Sequence, residues 1–183
     1  MDNKEIFRLI EENESNLRKI KSLMEAEEIS QNLQLEDHNF KIDSTGWNQL
    51  VGKDGEGNKI IYLENPEKDV WEYVSGVPKE LIGEQLFAFP ATMRETKRSE
   101  KQVPTNPEWD ILAKTKGDIP NLVFAGYRDT NGTFFYLSSG AFFWSSSISG
   151  STAWYRYLYS SNSAVFRIAY NQAHGVSIRC LEN

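Results

Sequence analysis

The sequence predicts an α+β fold in which a long N-terminal amphipathic helix precedes a domain built mostly of strands. Residues 2–30 place apolar side chains at helical spacing, whereas the chain beyond Gly117 alternates short β-branched and aromatic runs with turn residues. The composition changes as well: from Asn121 onward the chain holds 14 of its 23 aromatic residues and 11 serines, but no lysine. We expect a helical segment at 1–35 and one domain at 36–183.

Length and charge exclude several classes of protein. A chain of 183 residues can bury a hydrophobic core. Its net charge of -6 argues against a nucleic-acid partner, because phosphate binding relies on clustered Lys and Arg. No run of about 20 apolar residues is present, and no secretory signal opens the chain, so we expect no membrane insertion and synthesis as a soluble cytosolic protein.

The N-terminal helix carries one apolar stripe, formed by Ile6, Ile10, Leu17, Ile20 and Met24. Its members at 10, 17 and 24 repeat every seven residues, as in a short coiled coil, but a polar residue interrupts the repeat at 13. Two uses of this stripe stay open. It either packs onto the domain that follows or joins copies of the chain into a homo-oligomer.

The middle of the chain shows alternating strand and turn signals. Strands are expected at 59–63 and 70–74, and a short helix at 78–82. Thr105 and Glu108 have the spacing of a capping box, which predicts a helix from there to about Thr115 with Trp109 facing inward. Further strands are expected at 122–127 and 133–137, joined by a hairpin at 131–132.

The stretch 142–180 is the most informative part of the sequence. If 153–159 is a strand, one face carries Trp154, Arg156 and Leu158, and the other carries Tyr155, Tyr157 and Tyr159. The strand at 164–170 divides in the same way, and neither strand has a polar face. A half-solvated antiparallel sheet normally alternates apolar with polar residues. The second face therefore needs either a second core layer or an external ligand, and its Tyr and Ser content is typical of binding surfaces.

Catalytic and metal-binding patterns receive little support. The single cysteine, Cys180, excludes an internal disulfide and is expected to be a buried structural thiol. His38 and His174 have no second ligand at metal spacing and are expected at the surface. Asp54 begins a turn that is similar to a calcium loop, but Lys59 stands where the glycine belongs. We expect no cofactor, no metal and no enzymatic activity.

Several motifs, in this order, resemble the variable proteins of diversity-generating retroelements. They are IGEQLF at 82–87, ATMRETK at 91–97, VPT at 103–105 with EW at 108–109, FAGYR at 124–128, GTF at 132–134, FWSSS at 143–147, AWYR at 153–156 and GVSIRCL at 175–181. The resemblance covers about residues 80–183. It implies a C-type-lectin-like fold, in the branch that also holds the formylglycine-generating enzymes.

The resemblance also implies a function and a set of site residues. In that family, adenine-directed mutagenesis rewrites codons near the end of the gene, so that a fixed scaffold displays a hypervariable ligand-binding surface. The variable region would lie at about 142–180. The positions that match the variable set are Ile148, Ser151, Tyr157, Tyr159, Ser161, Ser163, Phe166, Ile168, Ala169, Tyr170 and His174. Ala169 breaks the alternation of the strand, so its exposure would require a bulge or turn nearby.

The remaining motif residues are expected to be scaffold. They are Trp144, Trp154, Arg156, Val165, Arg167, Val176, Ile178 and Arg179. The arginines are expected to bind carbonyls and carboxylates beneath the surface. Replacing Tyr157, Tyr159 and Tyr170 together with Ser is expected to leave the thermal midpoint nearly unchanged.

The family implies a macromolecular partner, either a protein or a cell-surface glycan, and a location in the cytosol or on a virus particle. One alternative is a fixed C-type-lectin-like domain that binds carbohydrate or protein, with calcium in the lectin case. Another is an enzyme of the formylglycine-generating kind, which the lone Cys180 disfavours because that chemistry relies on paired cysteines.

Overall fold

A computed structural model describes residues 3–35, 40–65 and 67–182, which form two units, Met1–Gln34 and Leu35–Asn183. The first unit contains helix α1 (Asn3–Asn32). On α1, Leu17, Ile20 and Met24 are each more than half exposed. Packing of this stripe onto the domain and self-association both stay predictions. No helix within the described residues has the length and apolar character needed to cross a membrane.

The second unit combines short helices with three antiparallel sheets, which confirms the α+β class. Its first sheet has the order β1-β2-β3-β4, its second pairs β5 with β6, and its third has the order β7-β8-β9. The strands are β1 (Asn48–Lys53), β2 (Lys59–Asn65), β3 (Val70–Ser75), β4 (Gln85–Phe87), β5 (Tyr127–Arg128), β6 (Phe134–Phe135), β7 (Gly140–Ser149), β8 (Thr152–Tyr159) and β9 (Phe166–Asn171). The helices are α2 (Phe89–Arg98) and α3 (Asn106–Leu112), with 3₁₀ turns at Lys79–Leu81 and Lys116–Asp118.

A short segment near the end of the chain joins the three sheets. Gly175 exchanges two backbone hydrogen bonds with Arg128 of β5, and Val176 exchanges two with Phe87 of β4. Ser177 donates its N–H to the carbonyl of Phe142 in β7. Because every backbone group of a buried segment needs a partner, this segment fixes the position of the third sheet relative to the other two.

The third sheet is anchored by aromatic residues beneath one of its faces. The ring of Trp109, from α3, stacks on Phe143 with centroids 6.0 Å apart, and both side chains are fully buried. The indole N–H of Trp109 donates to the carbonyl of Trp144. Burial of side chains of this size stabilises a fold by roughly 1.5–3 kcal/mol each. The capping box of Thr105 and Glu108 is present and orients α3 for this contact.

Part of the serine run in β7 is structural. The register between β7 and β8 is interrupted between Trp144 and Ile148. Within this break, Ser146 donates its N–H to the carbonyl of Pro104, and the hydroxyl of Ser147 accepts from the N–H of Asn106. These two serines therefore bind the loop that precedes α3.

Several predicted boundaries are wrong. Helix α3 ends at Leu112 instead of about Thr115, because Ala113 is extended and the Asp118 carboxylate accepts from the N–H groups of Lys114 and Thr115. The predicted strand at 122–127 pairs with no neighbouring strand up to Gly126, whose φ of 69° interrupts the extended chain just before β5. The predicted strand at 133–137 contains only the two residues of β6.

Helix α2 was not predicted from the sequence. Pro90 occupies its first turn, where the missing N–H of proline costs nothing. Its inner side buries Phe89, Ala91 and Thr92, together with the carboxylate-bearing Glu95.

Candidate ligand-binding surface

The two predicted faces of β8 are separate in the structure. Arg156 and Leu158 are buried on one side of the sheet, against the layer that contains Phe143 and Trp109. The opposite face of β8 carries Tyr155 and Tyr157. Strand β8 pairs with β9 in continuous register, so that Tyr155 lies opposite Ile168 and Tyr157 lies opposite Phe166. Directly paired side chains of neighbouring strands point to the same face.

We call this second face, with one residue from the loop after β6, the aromatic surface. It consists of Tyr136, Tyr157, Tyr159, Phe166, Ile168 and Tyr170. Of these, Tyr136 is 47% exposed, Tyr170 43%, Ile168 39% and Phe166 38%, whereas Tyr157 and Tyr159 are half-buried. Large side chains exposed to this extent on neighbouring strands form a patch of the kind that marks binding sites.

Four rings of the aromatic surface form a continuous row. Tyr157 stacks on Phe166 with centroids 5.4 Å apart, and Tyr159 lies 5.9 Å from Tyr157. Tyr136 extends the row, 5.3 Å from Tyr159. Aromatic pairs at these distances stabilise each other beyond the area that they bury. The rings are thereby held in place before a ligand arrives.

A second core layer lies beneath part of this face. Phe142, Trp144 and Tyr155 are buried together with Phe89 and Val176. Phe142 is parallel to Tyr157 at 6.0 Å, and the indole N–H of Trp144 donates to the carbonyl of Phe87. The second face of β8 is therefore both core and surface: its buried layer supports side chains that continue outward to solvent.

The phenols of Tyr127, Tyr155 and Tyr159 stay protonated at physiological pH. Burial, with a smaller effect of Asp129, raises the pKa of Tyr127 to about 12. Burial also raises the pKa of Tyr155 and of Tyr159, and the neighbouring Tyr136 adds to the effect at Tyr159. A phenol of raised pKa keeps its proton, so these three groups offer hydrogen bonds and apolar area instead of charge.

Four predicted site residues lie at the two ends of the aromatic surface. Ile148 pairs with Ala153, which pairs with Tyr170, so Ile148 continues the exposed face onto β7. It is 61% exposed. Ser151 is exposed in the turn between β7 and β8, and Ser161 and Ser163 are exposed in the connection between β8 and β9.

Ala169 does not belong to this face. It pairs with Trp154 in an unbroken register, so no bulge turns it outward, and it is half-buried on the opposite side of the sheet. The strict alternation of β9 explains this position. The bulge or turn that its exposure would require is absent from the pairing of β8 with β9.

His174 is not a surface residue, contrary to both roles predicted for it. It is 2% exposed, its ring contacts Tyr170 and Tyr127, and its Nε2 lies 2.9 Å from Oδ1 of Asp129. Burial lowers the pKa of His174, against the opposing effect of Asp129. The aromatic rings of the neighbouring strands cover it. His38, the other histidine, lies outside the described residues.

The scaffold residues are mostly buried. Trp144, Arg156, Val176, Ile178 and Arg179 are buried, whereas Trp154 and Val165 are half-buried. Arg167 is exposed, and its guanidinium lies 5.8 Å from the Trp154 ring.

The arginines bind carbonyls and carboxylates, as predicted. Arg156 donates from Nη2 to the carbonyl and the side-chain oxygen of Asn106, and its Nη1 lies 2.8 Å from Asp110. Arg179 donates to the carbonyl of Asn121 and packs over the Phe143 ring. These contacts fix α3 and the loop before β5 to the third sheet.

Two aromatic residues that support or extend the surface were not predicted from the sequence. Tyr127 lies in β5 and Tyr136 directly follows β6, so both precede the predicted variable stretch. Tyr136 adopts a φ of 58°, which is unusual for a residue with a bulky side chain. Tyr127 belongs to the FAGYR motif and Tyr136 to an aromatic-rich region, but neither signal says which side the ring faces.

Metal-binding arrangements are not evident in the part of the chain that the structure describes, where no three metal-binding side chains of the His, Cys, Asp or Glu type converge. The calcium-like turn is closed by its own hydrogen bonds. Oδ1 of Asp54 accepts from the N–H groups of Glu56 and Asn58, and Oδ2 accepts from the side-chain amide of Asn58. Cys180 is fully buried, as expected for a structural thiol.

No family model, curated protein or solved structure matches this chain.

Proposed function

We propose that this protein is a receptor-type ligand-binding protein, a variable protein of a diversity-generating retroelement with a C-type-lectin-like fold. One observation carries the proposal. Exposed Phe166, Ile168 and Tyr170 stand on a sheet whose opposite face is independently anchored by Leu158 and Arg156. A protein whose recognition residues are rewritten needs this separation, because the scaffold must fold whichever residues occupy the surface.

The chemistry of the surface supports binding instead of catalysis. Tyrosine rings give large and stiff contact area, and serines at the edges give adaptable hydrogen bonds. Tyr136, Tyr157 and Tyr159 form the centre of this arrangement, and Ser151, Ser161 and Ser163 lie at its ends. Aromatic side chains of this kind contribute most of the binding energy in many protein interfaces.

The charges near the surface support a protein or a cell-surface glycan as partner instead of a nucleic acid. Arg156 and Arg179 are buried and hydrogen-bonded, and Arg167 pairs with Asp110 at 3.2 Å. Surfaces that bind single-stranded nucleic acid combine stacking rings with cations that follow the backbone. Here the arginines hold the scaffold together.

The enzyme alternative is disfavoured by the state of the thiol. Catalysis of the formylglycine-generating kind relies on paired, reachable cysteines. The sequence contains one cysteine, Cys180, and its side chain is fully buried among Val70, Phe87 and Ile178.

The flanking DNA provides the decisive experiment. We expect a near-copy of the codons for 142–180 close to this gene, beside a reverse-transcriptase gene, differing only where the copy has adenine. The differences should fall on exposed positions such as Ile148, Phe166, Ile168 and Tyr170, and should spare buried Leu158. If no such copy exists, the retroelement assignment is wrong, and the aromatic surface serves one fixed partner.

A further inference from the structure

A groove adjoins the aromatic surface at its Tyr136 end. It lies between the turn after β1, the segment that follows β3 and the chain from β6 to Ser139. Its volume is about 690 Å³, within the range of about 300–1,000 Å³ in which small-molecule sites are found. Val77, Phe135, Tyr136 and Leu137 give it apolar walls, and Asp54 and Glu56 lie at its rim.

The groove and the aromatic surface are continuous. Tyr136 lines the groove, and its ring also lies 5.3 Å from Tyr159 and 5.9 Å from Phe142. Phe135 lines the groove as well and stacks on Tyr127 at 5.6 Å. A ligand that covers Tyr159 therefore reaches the mouth of the groove without leaving the protein surface.

The acidic turn is held against an aromatic ring. Gly55 donates its N–H to the carbonyl of Phe134, and a Cβ added at Gly55 would lie only 2.7 Å from the Phe135 ring. A residue with a side chain cannot take this position without displacing the ring. The backbone of the acidic turn is thereby held beside Phe135, and within the turn the Glu56 carboxylate accepts from the side-chain amide of Asn58 at 3.4 Å.

The electrostatic character of the groove is negative. Among the described residues that line it, Asp54 and Glu56 are the charged ones, and the neighbouring Lys53 and Lys59 are exposed but do not line it. Aromatic faces attract cations, and the attraction adds to that of nearby carboxylates. The lining therefore complements a group that is positively charged at its tip and apolar along its stem.

Tyr136 is retained in a backbone conformation that glycine adopts more easily. Its φ of 58° lies in the left-handed region, which costs most residues about 1 kcal/mol or more relative to glycine. Ser138, two residues on, has the same φ, so the two positions form a natural comparison. The side chain of Tyr136 is shared by the groove and the surface, and Ser138 does not line the groove.

We infer that this groove receives a lysine or arginine side chain from the same macromolecule that covers the aromatic surface. The inference rests on the proposed binding function and adds a chemical requirement on the partner. The carboxylate of Glu56 would pair with the cationic head, and Phe135 and Tyr136 would contact the stem. A basic residue in the partner's contacting segment is the feature that this site selects.

The test uses small amides as probes of the groove alone. The full-length ¹⁵N-labelled protein is titrated with N-acetyl-arginine amide and N-acetyl-lysine amide, and with N-acetyl-norleucine amide as an uncharged probe of similar shape. We expect saturable shifts at the backbone amides of Gly55, Phe135 and Tyr136 with the two cationic probes. Equal affinity for the norleucine probe, or no saturable shift at these amides, overturns the inference.

Matched variants separate the groove from general charge effects. Glu56→Gln should weaken binding of the arginine probe about twofold to fivefold, the size of one exposed charge pair. Glu56→Lys should abolish it. Glu67→Lys changes the net charge by the same amount on the exposed turn between β2 and β3, and should have no effect. Equal weakening by Glu56→Lys and Glu67→Lys contradicts a specific site.

Tyr136→Gly should weaken binding of the arginine probe by a similar factor, whereas Ser138→Gly should leave it unchanged. Both changes relieve a left-handed residue, so a difference between them belongs to the ring. Tyr136→Phe keeps the ring and should bind as the wild type does, which serves as the second variant if Tyr136→Gly loses its native spectrum. If Tyr136→Phe binds the arginine probe no better than Tyr136→Gly does, the proposed contact between the probe and the Tyr136 ring is wrong.

The outcome is independent of the retroelement assignment. Probe binding without a near-copy in the flanking DNA leaves the cation groove in place and removes the hypervariable function. A near-copy without probe binding leaves the proposed function in place and removes the groove.

Discussion

The ring of Tyr170 packs against the buried imidazole of His174, with centroids 4.4 Å apart. Tyr170 is among the most exposed residues of the aromatic surface, and His174 is among the buried polar side chains. Exposed and buried residues are thus in direct contact at this end of the sheet. Changes at one are expected to affect the other through packing.

The first prediction concerns pH. Burial lowers the pKa of His174 below its ordinary value of 6.5 in the folded state, so the unfolded chain binds this proton more readily. The part of the stability that depends on neutral His174 is therefore fully present above about pH 6.5. It is lost as the pH falls from there through the lowered pKa. We expect the thermal midpoint to begin to decrease as the pH falls below about 6.5, above the range in which most carboxylates titrate.

Thermal unfolding of wild type and His174→Asn across this window checks the prediction. Asn cannot take up the proton, so its curve should be flatter, whatever its absolute stability. Parallel curves for the two proteins would assign the pH dependence to other groups.

The second prediction separates exposed from half-buried members of the surface. Serine at Ile148, Phe166 or Ile168 should change the free energy of unfolding by about 0.5 kcal/mol or less per site, because exposed positions contribute little. Serine at Tyr157 or Tyr159 should cost about 1 kcal/mol or more each, since these rings pack on Phe142. This replaces the expectation that Tyr157, Tyr159 and Tyr170 can all be changed without effect on the thermal midpoint.

Denaturant unfolding of the single variants measures both groups. Tyr157→Phe and Tyr159→Phe are the matched controls, because they keep the ring and remove only the hydroxyl. Equal losses at exposed and half-buried sites would mean that packing beneath the rings does not determine tolerance.

The third prediction compares two arginines that share one carboxylate. Nη1 of buried Arg156 lies 2.8 Å from Asp110, and Nη1 of exposed Arg167 lies 3.2 Å from the same side chain. Arg156→Met should destabilise the fold by about 3 kcal/mol, because Asn106 and Asp110 lose their buried partner. Arg167→Met should cost less than about 1 kcal/mol, as exposed ion pairs do. Chemical denaturation of both variants measures the two losses in the free energy of unfolding. Similar losses would show that the burial of Arg156 does not determine its contribution to stability.

The alternation within β8 and β9 could be predicted from the sequence because it is a local property of extended chain. Once Tyr155, Tyr157 and Leu158 are placed in a strand, their sides follow from the period of two. The capping box of Thr105 and Glu108 is local in the same sense. Both features depend only on neighbouring residues.

Burial of particular residues could not be predicted in this way. His174 lies in a loop, where no period says which way a side chain points, and its burial depends on Tyr127, which is 47 residues away in the chain and packs against it. Tyr136 reaches the surface through a left-handed backbone that nothing in its neighbours requires. Tertiary contacts decided both positions.

The fourth prediction tests whether the turn at Asp54 binds calcium. The oxygens of Asp54 already accept hydrogen bonds from Glu56 and Asn58, and this closes the turn without an ion. We expect the thermal midpoint to be the same in about 5 mM calcium, a concentration that fills even weak extracellular calcium sites, and in excess chelator. Differential scanning fluorimetry is sufficient, with magnesium as the control ion. A rise specific to calcium would favour the lectin.

The fifth prediction concerns how far the surface can vary. A library that randomises Ile148, Phe166, Ile168 and Tyr170 should consist mostly of folded proteins, because these side chains contribute contact area to solvent and little to the core. A matched library at Ala153, Tyr155, Leu158 and Val176 should be mostly unfolded, since these positions are buried and changes in volume there cost roughly 1–5 kcal/mol each. Protease resistance of displayed library members, read by sequencing, measures both fractions.

Selection of tight binders to an arbitrary protein from the first library would show that this face of the sheet can serve as a general recognition surface. Equal survival of the two libraries would mean that the scaffold and the surface are not energetically separate, and a hypervariable role for this face would then be untenable.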